Sequence, residues 1–239
     1  AGLATLCQSE AATIVNNCAA ALVLILRELT SEKREVIVSR GELIQIGGGF
    51  RIPDILETSG ATLREVGTTN RTNLADYETA IGPNTGLILK VHRSNFFMDG
   101  FVESPLRDEL SKLARESGVP LVEDLGSGAL TDTEKAAGLT REPTPAEAIR
   151  AGVDLVCFSG DKLMGGPQAG IIAGNAAHVG RMKRNPFFRA LRCDRLVLGA
   201  MQAVVDHLLA DKPTPVSDMM SASVDELRKR AETIRQALA

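Results

Sequence analysis

The run Val153-Asp154-Leu155-Val156-Cys157-Phe158 ends at Ser159-Gly160-Asp161-Lys162 and continues as Leu163-Met164-Gly165-Gly166-Pro167-Gln168-Ala169-Gly170. A short apolar run bounded by turn residues reads as a buried strand. The polar turn after it carries one lysine to the carboxyl end of that strand, just before a glycine-rich loop. A lysine held there is partly withdrawn from water, which disfavours its ammonium form and frees the amine for Schiff-base chemistry. The opposing reading is an ordinary exposed loop lysine, because Lys is seldom buried. The turn lacks the glycine spacing of a nucleotide P-loop, so that use of the segment is excluded.

Working outward from this stretch, strand-like and helix-like segments alternate, which predicts an α/β fold with three layers, α/β/α, around a mostly parallel sheet. Expected strands cover 12–15, 36–39, 62–66, 86–92, 120–124, 153–158 and 169–173. Expected helices cover 18–28, 74–81 behind Asn73, 104–117, a segment opened by the capping box Thr144-Pro145-Ala146-Glu147, 194–209 and 223–238. Lys212-Pro213-Thr214-Pro215 reads as a stiff linker. The expected division is therefore a large domain over 1–210 and, over 211–239, a linker with the first helix of another domain.

The strand ends supply the candidate groups, since open α/β sheets bind ligands at the carboxyl ends of their strands. Asn16-Asn17 joins a strand to a helix, so the unpaired N–H groups there suit a phosphate; plain N-capping by Asn17 explains the residue equally well. Asp124 ends a buried strand, where a carboxylate needs a cationic partner or a turn to cap. Asn95 follows the strand 86–92, a usual turn position for Asn. His92 reads as a packed strand-end residue. Arg189 and Arg192 are spaced to share a helix face and clamp an anion.

Composition narrows the classes of function. The 239 residues are 44% hydrophobic and 24% charged with a formal net charge of −3, which gives no global attraction to nucleic acid. With no Trp, one Tyr and 3% aromatic residues, the composition argues against a stacking platform for single-stranded RNA, so any RNA contact needs a local basic patch, a partner subunit or a further segment. The four cysteines and three histidines are scattered without metal-site spacing, so no metal is expected and the thiols read as free in a reducing cytoplasm. The apolar run 18–26 is too short to span a bilayer, which leaves no membrane segment and a cytoplasmic location.

The lysine stretch is similar to the cofactor-lysine segment of the bacterial L-seryl-tRNA(Sec) selenium transferases, or selenocysteine synthases. Further blocks resemble that family in the same order: Asn16-Asn17-Cys18-Ala19-Ala20-Ala21, Val38-Ser39-Arg40-Gly41-Glu42-Leu43-Ile44, Ile46-Gly47-Gly48-Gly49-Phe50-Arg51-Ile52-Pro53-Asp54, Gly67-Thr68-Thr69-Asn70-Arg71-Thr72, Asp124-Leu125-Gly126-Ser127-Gly128 and Arg189-Ala190-Leu191-Arg192. The resemblance implies the large domain of fold type I, the aspartate aminotransferase superfamily, with pyridoxal 5'-phosphate as cofactor. It implies that seryl-tRNA(Sec) becomes selenocysteyl-tRNA(Sec) by β-elimination through an aminoacrylyl intermediate, with selenophosphate as selenium donor.

On that resemblance Lys162 carries the cofactor and moves the Cα proton, Asp124 pairs with the pyridine nitrogen, and Asp161 assists proton transfer or merely caps its turn. Asn17, Cys18, Ala19, Asn95, Ser159, Gly166 and Gln168 complete the cofactor site, and Arg189 with Arg192 receives the selenium donor. Glu42 lies where a ring-stacking residue is sought, without a physical argument to assign it. The family also implies a dimer-based homo-oligomer, extending to a ring of dimers. Its amino-terminal tRNA-binding domain and most of its carboxyl-terminal domain have no counterpart in these residues, which puts independent activity in question. Two other readings stand beside this one: a related pyridoxal-phosphate lyase acting on a small amino acid or amino sugar acid, and a catalytically silent fragment with an assembly or binding role.

Overall fold

Apolar residues alternate between two faces in every central strand of the computed structural model, which describes residues 1–238 apart from the side chains at 136 and 137. The strands are β1 (Ala11–Val15), β2 (Glu35–Ser39), β3 (Thr62–Val66), β4 (Thr85–Val91), β5 (Leu121–Gly126), β6 (Leu155–Ser159) and β7 (Gly170–Gly174). They form one sheet in the order β1-β7-β6-β5-β4-β2-β3, in which β7 runs antiparallel to both neighbours and the remaining pairs are parallel. Both faces are covered, as a mainly parallel sheet requires.

The helices are α1 (Gly2–Leu6), α2 (Cys18–Leu29), α3 (Ile52–Ser59), α4 (Leu74–Ala80), α5 (Arg107–Glu116), α6 (Thr133–Ala137), α7 (Pro145–Arg150), α8 (Ala176–Arg184), α9 (Pro186–Ala190), α10 (Arg195–Leu209), α11 (Pro215–Ser221) and α12 (Val224–Leu238). One core joins Val36, Val38, Leu87, Leu89, Leu155 and Ile172 of the sheet to the buried faces of α2, α3 and α8. The other joins Ile37, Ile88, Val156, Phe158 and Ile171 to α4, α5, α7 and α10. Consecutive strand residues thus serve opposite layers, the pattern that period-two side-chain geometry dictates. The expected α/β/α architecture is what the chain adopts.

Three local expectations change. The helix expected from residue 104 begins at Arg107, because Pro105 disfavours helical geometry before it and the Leu106 N–H is taken by Glu109 Oε2 at 3.0 Å. The stretch read as a linker contains a helix start: Thr214 caps α11 with its hydroxyl on Ser217 N, and Pro215 occupies the first helical position. The shared helix face of Arg189 and Arg192 is not formed, since α9 ends at Ala190. There the Leu191 carbonyl accepts from Asn16 N at 3.0 Å, which draws the chain toward the turn after β1.

Candidate active site

The carboxyl ends of β1, β5 and β6 meet in a cleft of about 510 Å³ lined by Asn17, Cys18, Ala19, Asp124, Gly126, Ser159, Asp161, Lys162 and Gln168, with Ile46, Gly47, Phe50, Ile52 and Ile55 as its apolar wall. A second cleft lies across the lysine, where Ser94, Asn95, Ser127, Thr133, Thr140 and Glu142 face Lys162 and Leu163. Lys162 is therefore the side chain common to both. It is exposed, so the desolvation expected from its strand-end position is not what the structure shows. The lysine follows the strand by three residues and stands in the open junction rather than in the core.

At the amino terminus of α2 the Asn17 side chain caps Ala20 N at 2.8 Å. The N–H groups of Cys18 and Ala19 precede the first intrahelical bonds, and both residues line the cleft, an arrangement that favours an anion. Capping and anion binding are thus compatible roles for one turn. The start of β7 presses against it: a Cβ on Gly170 would stand 2.0 Å from the Asn17 carbonyl oxygen, so only glycine fits.

Asp124 is half-buried, and its Oδ1 accepts from Gly126 N at 3.0 Å and from Cys18 Sγ at 3.7 Å. Burial pushes its carboxyl up to about 6, against the opposing pull of the Gly126 and Cys18 hydrogen bonds and of the positive charge of Lys162. A cation placed beside it would restore its charged form. Gly126 turns the chain there with φ of 60°, in the left-handed region that glycine tolerates.

The lysine loop is closed on itself. Gly160 N donates to Ala169 O and Gly166 N to Gly160 O, both at 2.8 Å, while Leu163 N donates to Ser127 O at 3.1 Å. Ser159 is buried at the end of β6, and Asp161 and Gln168 are exposed along the first cleft. Gly166 lines neither cleft, and its N–H holds the loop together. Asn95 lines the second cleft with its Nδ2 on Gln45 O at 2.9 Å. Arg189 and Arg192 are exposed and line neither cleft, though Leu191 between them is tied to Asn16.

Sequence reasoning missed several participants. Cys157 lies beside Asp124 and Cys18, with the two Sγ atoms and a carboxylate oxygen all within 4.8 Å of one another; strand alternation alone would have placed it on that face. The Ser127 hydroxyl is buried in the second cleft with no hydrogen-bond partner among the described residues. His92, expected as packed, is half-buried and meets Glu142 at 2.9 Å. Glu42 is 5% exposed, paired with Lys90 at 3.0 Å and accepting from Val91 N at 2.9 Å, which places it in the sheet's support and not over the cleft.

The fold has solved counterparts. D-glucosaminate-6-phosphate ammonia-lyase superposes with a TM-score of 0.74 at 20% identity, over 97% of this chain and 60% of the other. A Thermus thermophilus aspartate aminotransferase variant gives 0.63 at 16% identity, over 95% and 59%. At these identities the likeness establishes the aspartate aminotransferase-like fold. Sequence relatives are nearer. The L-seryl-tRNA(Sec) selenium transferase of Clostridium perfringens strain 13 is 48% identical over 234 residues, covering 96% of this chain and 50% of the relative. That of Geobacter sulfurreducens is 49% identical over 240 residues, covering 99% and 52%. The chain thus spans about half the length of these relatives. Residues 1–239 match the SelA family, described as L-seryl-tRNA selenium transferase, and the chain belongs to that family.

Proposed function

We propose that these residues form the cofactor-binding core of an enzyme that makes selenocysteyl-tRNA(Sec) from seryl-tRNA(Sec) and selenophosphate, with pyridoxal 5'-phosphate as cofactor. The observation that carries the reading is the convergence, in one cleft, of free N–H groups at the start of α2, a carboxyl raised to about 6 and an accessible amine. That donor set fits the cofactor's three poles: an anionic phosphate, a basic ring nitrogen and a carbonyl. When bound, pyridoxal phosphate supplies an electron sink for bond breaking at the Cα of an amino acid.

In this reading Cys18 and Ala19 donate their backbone N–H groups to the phosphate. Asp124 holds the ring nitrogen's proton, and Asn95 orients the ring from the second cleft. Ser159 and Gln168 bound the cofactor, while Gly166 acts through the shape of the lysine loop. Lys162 Nζ would hold the cofactor's carbonyl carbon and, once the seryl group's amine had displaced it there, would be free to accept the Cα proton, with Asp161 beside it as a proton relay. Arg189 and Arg192, exposed around a turn tied to Asn16, receive the oxyanion of the selenium donor. Residues 1–210 make the cofactor-binding domain, and 211–239 open the next one. A cytoplasmic, dimer-based homo-oligomer completes the proposal. Among the described residues no helix is long and apolar enough to cross a membrane.

The test is the visible spectrum of the purified protein with added pyridoxal phosphate, followed by borohydride reduction and peptide mapping. A band that borohydride bleaches, with the label on Lys162 and no label in Lys162→Ala, is the expected result. A folded protein that acquires no label would overturn the cofactor assignment and favour an assembly or binding role.

A further inference from the structure

The Asp124 carboxylate is held by one oxygen only. Oδ1 takes both donors, Gly126 N at 3.0 Å and Cys18 Sγ at 3.7 Å, and Oδ2 has no partner among the described residues. The second thiol extends the chain of contacts. Cys157 of β6 lies with its Sγ within 4.8 Å of both Cys18 Sγ and the Asp124 carboxylate, and its contact with Cys18, burial and the Asp124 charge raise the Cys157 thiol well above its ordinary value. The Cys18 thiol is lowered by its bond to Cys157 but raised overall by burial and by Asp124. Both groups therefore stay protonated at neutral pH, and a protonated thiol beside a carboxylate can only donate to it.

We propose that Cys18, backed by Cys157, is a positioning residue that fixes the rotamer of Asp124 so that Oδ2 faces the cofactor's ring nitrogen. This rests on the cofactor reading above. The same residue then serves two poles of the site: its backbone N–H lies in the anion cradle and its thiol orients the carboxylate. A side chain at the first position of α2 thereby couples the phosphate end of the cleft to the ring end. Asp124 alone could swing about its χ angles. With Oδ1 anchored from both its own strand turn and the facing helix, one orientation is retained at little entropic cost on binding.

Two readouts test it on the full chain. The first is the titration of the Asp124 carboxyl in cofactor-free protein, followed by NMR with carboxyl-labelled aspartate. The second is the dissociation constant for pyridoxal phosphate from its visible absorbance. Cys18→Ala removes a donor to the carboxylate, so the Asp124 titration is expected to move up in pH and the affinity to fall roughly tenfold, the scale of one hydrogen bond to a charged group. Cys18→Ser retains a donor and is expected to recover part of both. Cys157→Val keeps the volume of β6 and removes a thiol that lies within 4.8 Å of both Cys18 and Asp124, giving a smaller shift of the same sign and a variant that tests the thiol pair should Cys18→Ala fold poorly. Unchanged titration and affinity in Cys18→Ala and Cys157→Val, while the wild type binds cofactor, would overturn the inference alone. A wild type that binds no pyridoxal phosphate overturns the cofactor reading and takes the inferred target of Oδ2 with it.

Discussion

Arg107 of α5 grips Glu123 of β5 through two hydrogen bonds, Nε to Oε2 at 2.7 Å and Nη2 to Oε1 at 2.8 Å, one residue before Asp124. Glu123 is 1% exposed and faces the α5 layer, while Asp124 faces the layer containing α2. Successive carboxylates on one strand are thus assigned opposite tasks by the pleat, one structural and one in the cleft. Arg107→Ala leaves a buried charge without its partner and is expected to cost about 3 kcal/mol in urea unfolding. Replacing both partners with apolar residues, Arg107→Met with Glu123→Leu, should recover most of that loss. A single-variant cost below about 1 kcal/mol would show that water reaches Glu123 and that the pair behaves as a surface contact.

Asp124 gives a pH dependence of definite sign in the cofactor-free protein. Its folded value of about 6 lies above the ordinary 3.8, so the native state binds the proton more tightly than the unfolded chain. The contribution to stability is fully present below 3.8 and is lost as pH rises through about 6. Asp124→Asn removes this dependence and keeps an oxygen for the Gly126 and Cys18 donors. Its stability relative to wild type should therefore increase between pH 4 and pH 7, by at most about 3 kcal/mol. Denaturant titrations at the two pH values check it; a difference that does not change with pH would place the carboxyl at its ordinary value.

Gly170→Ala tests the close approach of β7 to the turn at Asn17-Cys18. The added methyl would stand 2.0 Å from the Asn17 carbonyl oxygen and 2.9 Å from Cys18 N, both backbone atoms that cannot rotate away. Separation of β7 from this turn should lower stability by about 2 kcal/mol or more and abolish cofactor uptake. Wild-type uptake in this variant would show that the N–H groups of α2 are not the anion site.

Arg189→Ala and Arg192→Ala are expected to leave unfolding within about 0.5 kcal/mol of wild type, since both side chains are exposed and make no ion pair among the described residues. Binding of an oxyanion such as selenophosphate, measured by calorimetry on cofactor-loaded protein, should weaken about tenfold or more in each. Equal affinity in the double variant would remove this pair from the site.

Thr214→Ala probes the start of α11. It removes the hydroxyl that caps Ser217 N and should cost about 1 kcal/mol, seen as faster amide exchange confined to α11. Exchange that quickens throughout the sheet would instead tie this helix to global unfolding.

The strands were readable because burial on both faces leaves uninterrupted apolar runs, as in Leu87-Ile88-Leu89, and glycine or proline marks their ends. The positions of the Asn16-Asn17 turn and of Asp124 at the cleft were legible for the same reason, since polar residues directly after such runs face a ligand or a cap. Helix starts followed from caps at Asn17, Asn73 and Thr144. The helix at Pro215 escaped because two prolines read as a stiff spacer, although Thr214 supplied a cap. The turn at Leu191 was illegible in principle: its carbonyl bonds to Asn16, far away in sequence, and no local signal announces that contact. Cys18 showed a similar limit. Its thiol gains meaning only from Asp124, a neighbour created by folding.

The position of β1 at the sheet edge, paired only with β7, sets an order of events during synthesis. Residues 11–15 are made before every other strand of this sheet, yet their partners are residues 170–174. The intervening strands can associate as they emerge, but β1 must wait for nearly the whole sheet, and the turn at Asn16-Asn17 waits with it. The turn that opens α2 is then among the last parts of this sheet's surroundings to take shape. On the cofactor reading proposed above, a chain that has not closed this long-range pairing would carry Asp124 without the turn that holds the phosphate, so stable cofactor loading would follow that closure.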